Sequence, residues 1–137
     1  MKLSLKVEYS CRVLAQLARF YGTGKLAHIE DLARLEEVPA NYLVQILNEM
    51  RNAGLIVSRR GKQGGYALAK APEEVSLSEV LQAMEGNLLE TNLQTKGESG
   101  PLVARIWTDI SELLNEKIAT ITLRDFMPGE SREMYYI

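Results

Sequence analysis

The stretch from Pro39 to Leu68 constrains the fold more than any other part of the sequence. Its apolar side chains first recur at three- and four-residue spacing, which places them on one face of a helix: Leu43, Ile46, Leu47 and Met50. Pro39 suits the first turn of this helix, and Gly54 suits its end. The apolar run Leu55-Ile56-Val57 then predicts a strand, and Tyr66-Ala67-Leu68 predicts its partner. A helix-turn-helix followed at once by a β-hairpin is called winged, and the pattern predicts that fold.

The polar side chains of the same stretch favour a nucleic-acid ligand. The helix face opposite the apolar one carries groups that can pair with base edges in a DNA major groove: Asn41, Gln45, Asn48 and Arg51. The connection between the strands carries Arg59, Arg60 and Lys62 among glycines that permit close approach to a phosphate backbone or a minor groove. A basic glycine turn alone is a weak signal, but directly behind a helix-turn-helix it indicates DNA contact.

Two further helices are predicted before Pro39. Apolar spacing predicts a long helix from Ser4 to Tyr21, with Cys11 on the face expected to be buried as a small core side chain. Near its start, Lys6 and Tyr9 either contact phosphate or serve only as a solvated lysine and a packed tyrosine. A short second helix lies within residues 26–35, and His28 at its entry is interpreted as a capping or solvent-facing residue rather than a metal ligand.

Composition indicates an ordinary soluble domain. The 137 residues are 46% hydrophobic, which is enough for one compact core plus an extension. The chain has one cysteine, so it forms no internal disulfide, and we expect a reducing, cytoplasmic setting with no metal and no cofactor. No segment approaches the roughly 20 apolar residues of a membrane span, so no membrane partner is expected.

Charge divides the chain into two halves. Residues 1–72 hold eleven Lys or Arg and six Asp or Glu, a balance of +5, whereas residues 73–137 hold five and twelve, a balance of −7. We therefore expect residues 1–72 to be a winged helix-turn-helix domain that contacts double-stranded DNA. Residues 73–137 are expected to be a helical dimerisation and regulatory region with a C-terminal tail. The predicted fold class is mostly α with a small β-hairpin.

The acidic half contains the longest predicted helix, residues 101–119. Its apolar stripe is larger than one small winged domain can cover: Val103, Ile106, Trp107, Ile110 and Leu113. We expect this stripe to pair two copies into a homodimer, although packing onto the chain's own first helix is an alternative. A twofold dimer would present two reading helices to a pseudo-palindromic operator. Capping patterns at Ser76 and Thr122 predict two shorter helical segments.

Four sequence blocks resemble the Rrf-type winged-helix regulators, a family with IscR-like members that bind an iron–sulfur cluster and CymR-like members that do not. The blocks are MKLSLKVEYSCRVLAQLA, NYLVQILNEMRNAGLI, RRGKQGGYALAK and SLSEVLQAMEG, in family order. The resemblance covers nearly the whole chain. It implies a DNA-reading role for Asn41, Tyr42, Gln45 and Arg60. Cluster-binding members often carry a glutamate just before the glutamine, where this chain has Val44.

The resemblance also bears on cofactor and partner. Cluster-binding members place three cysteines between residues 84 and 101, where this chain has none, so we expect no cluster and a closer likeness to the CymR-like members. The final residues, ESREMYYI, are similar to the tail of CymR-like proteins, which partner with the cysteine synthase O-acetylserine thiol-lyase. That likeness implies insertion of Ile137 into the enzyme, with support from Tyr136. The alternative is an arm packed on the dimer.

These observations bear on three classes of function. The leading prediction is a homodimeric transcription regulator, a repressor that blocks promoter access, with a possible response to cysteine or sulfur supply. A winged-helix module that binds only protein is the alternative, and low duplex affinity at every salt concentration would identify it. An enzyme is disfavoured because no nucleophile and base pair, phosphate loop or metal spacing is found in the sequence.

Overall fold

The computed structural model describes residues 2–86 and 93–129. Over these residues the chain forms five α-helices and one two-stranded antiparallel sheet, which confirms the predicted fold class. The elements in chain order are α1 (Leu5–Phe20), α2 (Ile29–Glu36), α3 (Ala40–Asn52), β1 (Ile56–Arg59), β2 (Gly65–Leu68), α4 (Leu77–Met84) and α5 (Gly100–Thr120). Two 3₁₀ turns, Pro72–Glu74 and Leu123–Phe126, precede α4 and follow α5.

Helix α1 is the central element of the core. Its first turn is capped by Ser4, whose Oγ accepts a hydrogen bond from the Val7 amide at 3.2 Å. The predicted buried face is rotated slightly from the observed one: Cys11 is only half-buried, and Ser10 is fully buried with its hydroxyl donating to the Lys6 carbonyl at 2.6 Å. Tyr21, the last residue of the predicted helix, is 45% exposed, because the backbone has already left the helix there.

The turn between α2 and α3 sets their crossing. Glu37 ends α2 in the left-handed region, with φ +52°, and the side chain of Val38 is buried in the core. Pro39 lies one residue earlier than predicted: it occupies the N-cap position with extended ψ, and α3 begins at Ala40. Its fixed φ of −56° still suits the entry, and its carbonyl accepts a hydrogen bond from the Leu43 amide at 2.9 Å.

Strands β1 and β2 form the wing, with Ile56 opposite Leu68 and Arg59 opposite Gly65. Helix α3 reaches β1 through a Schellman stop, in which Gly54 adopts φ +79° and the Leu55 amide donates to the Met50 carbonyl at 3.0 Å. This confirms Gly54 as the predicted stop signal. Beyond the prediction, β2 also pairs with the connection between α1 and α2.

The acidic half packs onto α1 through its shorter elements. The Ser76 Oγ accepts a hydrogen bond from the Glu79 amide at 3.1 Å and caps α4, as its pattern predicts. Thr122 and Asp125 form the predicted cap of the last turn, with the Thr122 amide donating to Asp125 Oδ2 at 2.8 Å. Val75, Val80 and Leu123 are fully buried in the same core as α1. The division of the chain at residue 72 stays a prediction.

Helix α5 differs from the other helices because it buries little of its apolar surface. Ile118 is buried and Leu114 packs partly against the core, both near the C-terminal end. The predicted apolar stripe of α5 has different surroundings: Val103, its first side chain, is 47% exposed. No helix within residues 2–86 and 93–129 has both the length and the apolar content of a membrane span.

Candidate nucleic-acid interface

One face of α3 is open to solvent and carries amide side chains. Asn41, Gln45 and Asn48 are all exposed, and their spacing of four and three residues places them in line along the helix. Val44 lies on the same face and is 47% exposed. The face therefore combines hydrogen-bonding groups for base edges with one apolar group that could contact a thymine methyl.

Arg51 links this face to the wing. Its guanidinium donates through Nη2 to Asn48 Oδ1 and through Nη1 to the Ser58 hydroxyl of β1, each at 3.4 Å. Both bonds are long and exposed, so they are weak. They nevertheless place the C-terminal end of the α3 face beside strand β1.

Tyr42 and Tyr9, both predicted at the interface, are half-buried and pack on each other. Their ring centroids lie 5.4 Å apart at an interplanar angle of 83°, the edge-to-face geometry that aromatic pairs prefer. The Arg12 guanidinium lies 5.3 Å from the Tyr9 ring centroid and is held by Glu8 and by the Glu36 carbonyl, to which its Nη1 donates at 2.9 Å. Tyr9 thus supports Tyr42, and its contact with phosphate stays a prediction.

Lys6 is engaged within the protein. Its Nζ lies 2.9 Å from Glu49 Oε2 on α3, with both side chains about one-third exposed. A phosphate would have to compete with this carboxylate for the ammonium group. The ion pair ties the start of α1 to α3, and the predicted phosphate role of Lys6 remains untested.

The cations of the wing are open to solvent. Arg59, Arg60 and Lys62 are exposed, and none forms an ion pair with a residue in the described part of the chain. The turn requires glycine at position 64, because a Cβ there would lie 2.2 Å from the Arg59 carbonyl oxygen. Position 64 thus requires glycine because the backbone of Arg59 approaches it closely, and not because the turn needs flexibility.

Lys25 and His28, for which the sequence predicts no role at the DNA interface, lie beside the wing. The Ala27 amide donates to the Tyr66 carbonyl at 2.9 Å, and the Tyr66 amide donates back at 2.8 Å. This bridge brings Lys25 and His28 to a cavity of about 570 Å³ that Arg59 and other wing residues also line. A single Lys or His in a loop carries no sequence signal for such a placement, because the bridge that creates it is nonlocal.

The thiol of Cys11 has low reactivity near neutral pH. Burial and, to a smaller extent, the nearby Glu8 charge together raise the pKa of its thiol to about 11. It therefore stays protonated near neutral pH and is a poor nucleophile and metal ligand. Among residues 2–86 and 93–129 there is no group of three His, Cys, Asp or Glu side chains placed to hold a metal ion.

A helix-turn-helix followed by a basic wing defines a winged helix-turn-helix protein, a class of DNA-binding transcription regulators. The family model for Rrf2, described as an iron-dependent transcriptional regulator, matches residues 3–129. The chain belongs to the Rrf2 family. It is 28% identical to the transcriptional regulator CymR of Bacillus subtilis over 141 aligned residues, which cover all of both chains.

Solved structures of two relatives have the same fold. The structure of CymR, the global cysteine regulator of B. subtilis, superposes with a TM-score of 0.82 at 27% identity, covering 91% of this chain and 95% of that one. The structure of T. potens IscR gives a TM-score of 0.75 at 27% identity, covering 99% and 97%. These relatives are transcription regulators rather than enzymes, and the family implies DNA binding.

The residues of this chain do not fit an iron–sulfur cluster. The family description mentions iron, and three cysteine thiolates are the ligand set that the family resemblance implies. This sequence has one cysteine and one histidine, and the cysteine is the protonated Cys11 of α1. A single chain therefore cannot supply that set.

Proposed function

We propose that this protein is a sequence-specific DNA-binding regulator that reads base pairs with α3 and holds the backbone with the wing. The observation that carries the proposal is the exposed amide face of α3, which borders a wing whose cations are unpaired within the described residues. Amides pair with base edges and therefore discriminate between sequences, whereas Arg60 would contact phosphate or the minor groove and add affinity on any duplex.

Two substitutions separate these roles. Gln45→Ala should cost about 1–3 kcal/mol on the cognate duplex and relax the preference at one base pair, because a base-edge contact is lost. Arg60→Ala should weaken cognate and random duplexes by the same factor. Binding is measured by fluorescence anisotropy on an operator selected from a random pool, with Asn115→Ala of α5 as the exposed amide control. Equal losses on both duplexes for Gln45→Ala would contradict its reading role.

We infer that the protein acts as a homodimer joined through α5. Six apolar side chains of this helix are between 42% and 67% exposed in one chain: Leu102, Val103, Ile106, Trp107, Ile110 and Leu113. Monomeric proteins rarely leave so many large apolar groups in contact along one helix. The alternative of packing onto the chain's own α1 has no support in these exposures.

The body of the chain offers a second apolar surface of matching character. A groove of about 480 Å³ runs along α1 and is closed by α4 and the last turn, with Cys11, Leu81 and Phe126 among its lining residues. A dimer in which each α5 crosses to the partner's groove would cover both apolar surfaces at once. In a twofold dimer the contact is made twice, so both chains gain equally.

Cross-linking tests this arrangement with introduced cysteines, because the native Cys11 thiol stays protonated near neutral pH. In a Cys11→Ala background, single cysteines at positions 103, 106, 107 and 110 are each combined with Leu3→Cys, an exposed residue that lines the groove, and dimers formed on mild oxidation are counted on non-reducing gels. A helix seated in the partner's groove should give at least one cross-link that requires the cysteine at position 3. Cross-links that form equally without it would show that the two α5 helices contact only each other.

Such a dimer would place two α3 helices on two half-sites, so the operator should be pseudo-palindromic with half-sites about one helical turn or a multiple apart. We propose that binding represses transcription by blocking promoter access. Adding the protein to purified polymerase and a promoter that overlaps the operator should lower transcript yield. A rise in yield would identify an activator instead.

The regulatory signal that we propose is cysteine supply. Support comes from the likeness to the B. subtilis cysteine regulator and from the tail, whose Tyr136 and Ile137 lie outside the described residues. In this proposal Ile137 enters the active site of O-acetylserine thiol-lyase and Tyr136 supports it. Deleting the last two residues and titrating the enzyme tests the contact, and unchanged enzyme binding would remove it.

A further inference from the structure

The cavity between the wing and the connection from α1 to α2 is strongly basic. It is lined by Lys25, Arg59, Arg60, Lys62 and His28, and no Asp or Glu is among its lining residues. Its surface is mostly polar, which does not suit an apolar ligand. We propose that this cavity, here called the basic cleft, binds a phosphate, and that Lys25 and His28 extend the DNA interface beyond the wing.

The basic cleft concentrates positive charge that the described chain does not neutralise. Lys25 and the three wing cations form no ion pair within residues 2–86 and 93–129, whereas Lys6 and Lys70 are each bound to a glutamate, at 2.9 and 3.0 Å. Like charges held around one cavity repel each other, and an anion bound among them removes that repulsion. A phosphate is the anion that a DNA-binding surface meets most often.

The two walls of the basic cleft are held together by backbone contacts. Ala27 and Tyr66 exchange two hydrogen bonds of 2.8 and 2.9 Å directly between the walls. Gly65 makes this approach possible, because a Cβ there would lie 2.6 Å from the Ala27 carbonyl oxygen. Lys25 and His28 are therefore kept close to the wing cations before any ligand arrives, which lowers the cost of ordering the site.

Continuity with the wing favours a DNA phosphate over a free one. Arg59, Arg60 and Lys62 belong both to the basic cleft and to the wing that we propose to lie on the duplex. A backbone held by the wing would pass the mouth of the cleft, where Lys25 could reach the next phosphate. This inference rests on the proposed DNA binding.

The test is the salt dependence of DNA affinity. Each phosphate contact contributes a slope of about 0.9 to the logarithmic dependence of affinity on salt. Lys25→Ala should therefore lose affinity equally on cognate and random duplexes, and its deficit relative to wild type should shrink about 3.5-fold between 50 and 200 mM salt. His28→Ala should also weaken both duplexes equally. Lys96→Ala, an exposed lysine outside the wing and outside α5, should match wild type at both salt concentrations.

Folding is not at risk in the main variant. The Lys25 side chain is exposed, and the hydrogen bond that its amide donates to the Thr23 hydroxyl at 3.1 Å is retained in alanine. Thermal melts of Lys25→Ala and wild type should coincide. Any loss of DNA affinity then reports the missing ammonium group.

Other outcomes would overturn the inference in distinguishable ways. If Arg60→Ala weakens DNA binding while Lys25→Ala keeps the wild-type salt slope, the basic cleft takes no DNA phosphate and the proposed function stands. If wild type binds no duplex, the proposed function itself fails. If calorimetry shows Lys25-dependent binding of inorganic pyrophosphate and the salt slope is unchanged, the cleft serves a free phosphate ligand.

Discussion

Replacing Ile106 by alanine should weaken the proposed dimer by an amount that the structure allows us to estimate. The side chain is 59% exposed in one chain, and full burial of an isoleucine is worth about 1.5–3 kcal/mol. Burying the exposed part therefore contributes about 0.9–1.8 kcal/mol per protomer, and twice that in a twofold dimer. Alanine retains about a quarter of this apolar surface, so the loss is about 1.3–2.7 kcal/mol, or a ten- to hundredfold higher dimer Kd.

Sedimentation equilibrium over a dilution series measures the dimer Kd directly. Alanine is a better helix former than isoleucine, so α5 itself is not weakened by the change. Leu35→Ala is the matched control, since Leu35 is 46% exposed but lies on α2, away from the α5 stripe. A folded Ile106→Ala protein with the wild-type Kd, or a wild-type protein that is monomeric at micromolar concentration, would refute the reasoning.

Three further predictions concern the wing, the reading face and the thiol. Gly64→Ala should distort the turn and weaken binding to every duplex. Gly61→Ala should weaken binding less, because its Cβ meets nothing within 4 Å and only its own φ of +105° is strained. Anisotropy titrations compare the two variants, and equal losses of affinity would contradict the steric explanation. If Val44 contacts a thymine methyl, replacing one thymine by uracil in the operator should weaken wild-type binding and leave Val44→Ala unaffected. The pKa of Cys11 is raised from 9.0 to about 11 in the fold, so the unfolded chain loses its thiol proton at a lower pH than the folded chain does. The free energy of unfolding should therefore fall by up to about 2.7 kcal/mol between pH 9 and pH 11, with no change below pH 8. Urea titrations of wild type and Cys11→Ala at each pH should show this difference, and parallel pH profiles would exclude it.

Local sequence patterns predicted the elements of the fold. Helix periodicity, the Gly54 stop and the caps at Ser76 and Thr122 depend on residues within one or two turns of each other, and the structure has each of them. Two details differ from the predictions: Pro39 lies at the N-cap rather than in the first turn, and the buried face of α1 includes Ser10 more fully than Cys11. Residue spacing alone cannot locate the buried face of a helix more closely than this, because successive residues lie about 100° apart around the helix axis.

The sequence by itself determined which residues form the reading helix and the wing, since apolar periodicity and turn glycines act over short distances. Only the tertiary structure decided what surrounds them. Glu49 of α3 binds Lys6, Tyr9 packs on Tyr42, and the Ala27–Tyr66 bridge brings Lys25 to the wing. These contacts join residues that are far apart in the chain, and their geometry depends on how the helices and the sheet pack, which no local pattern encodes.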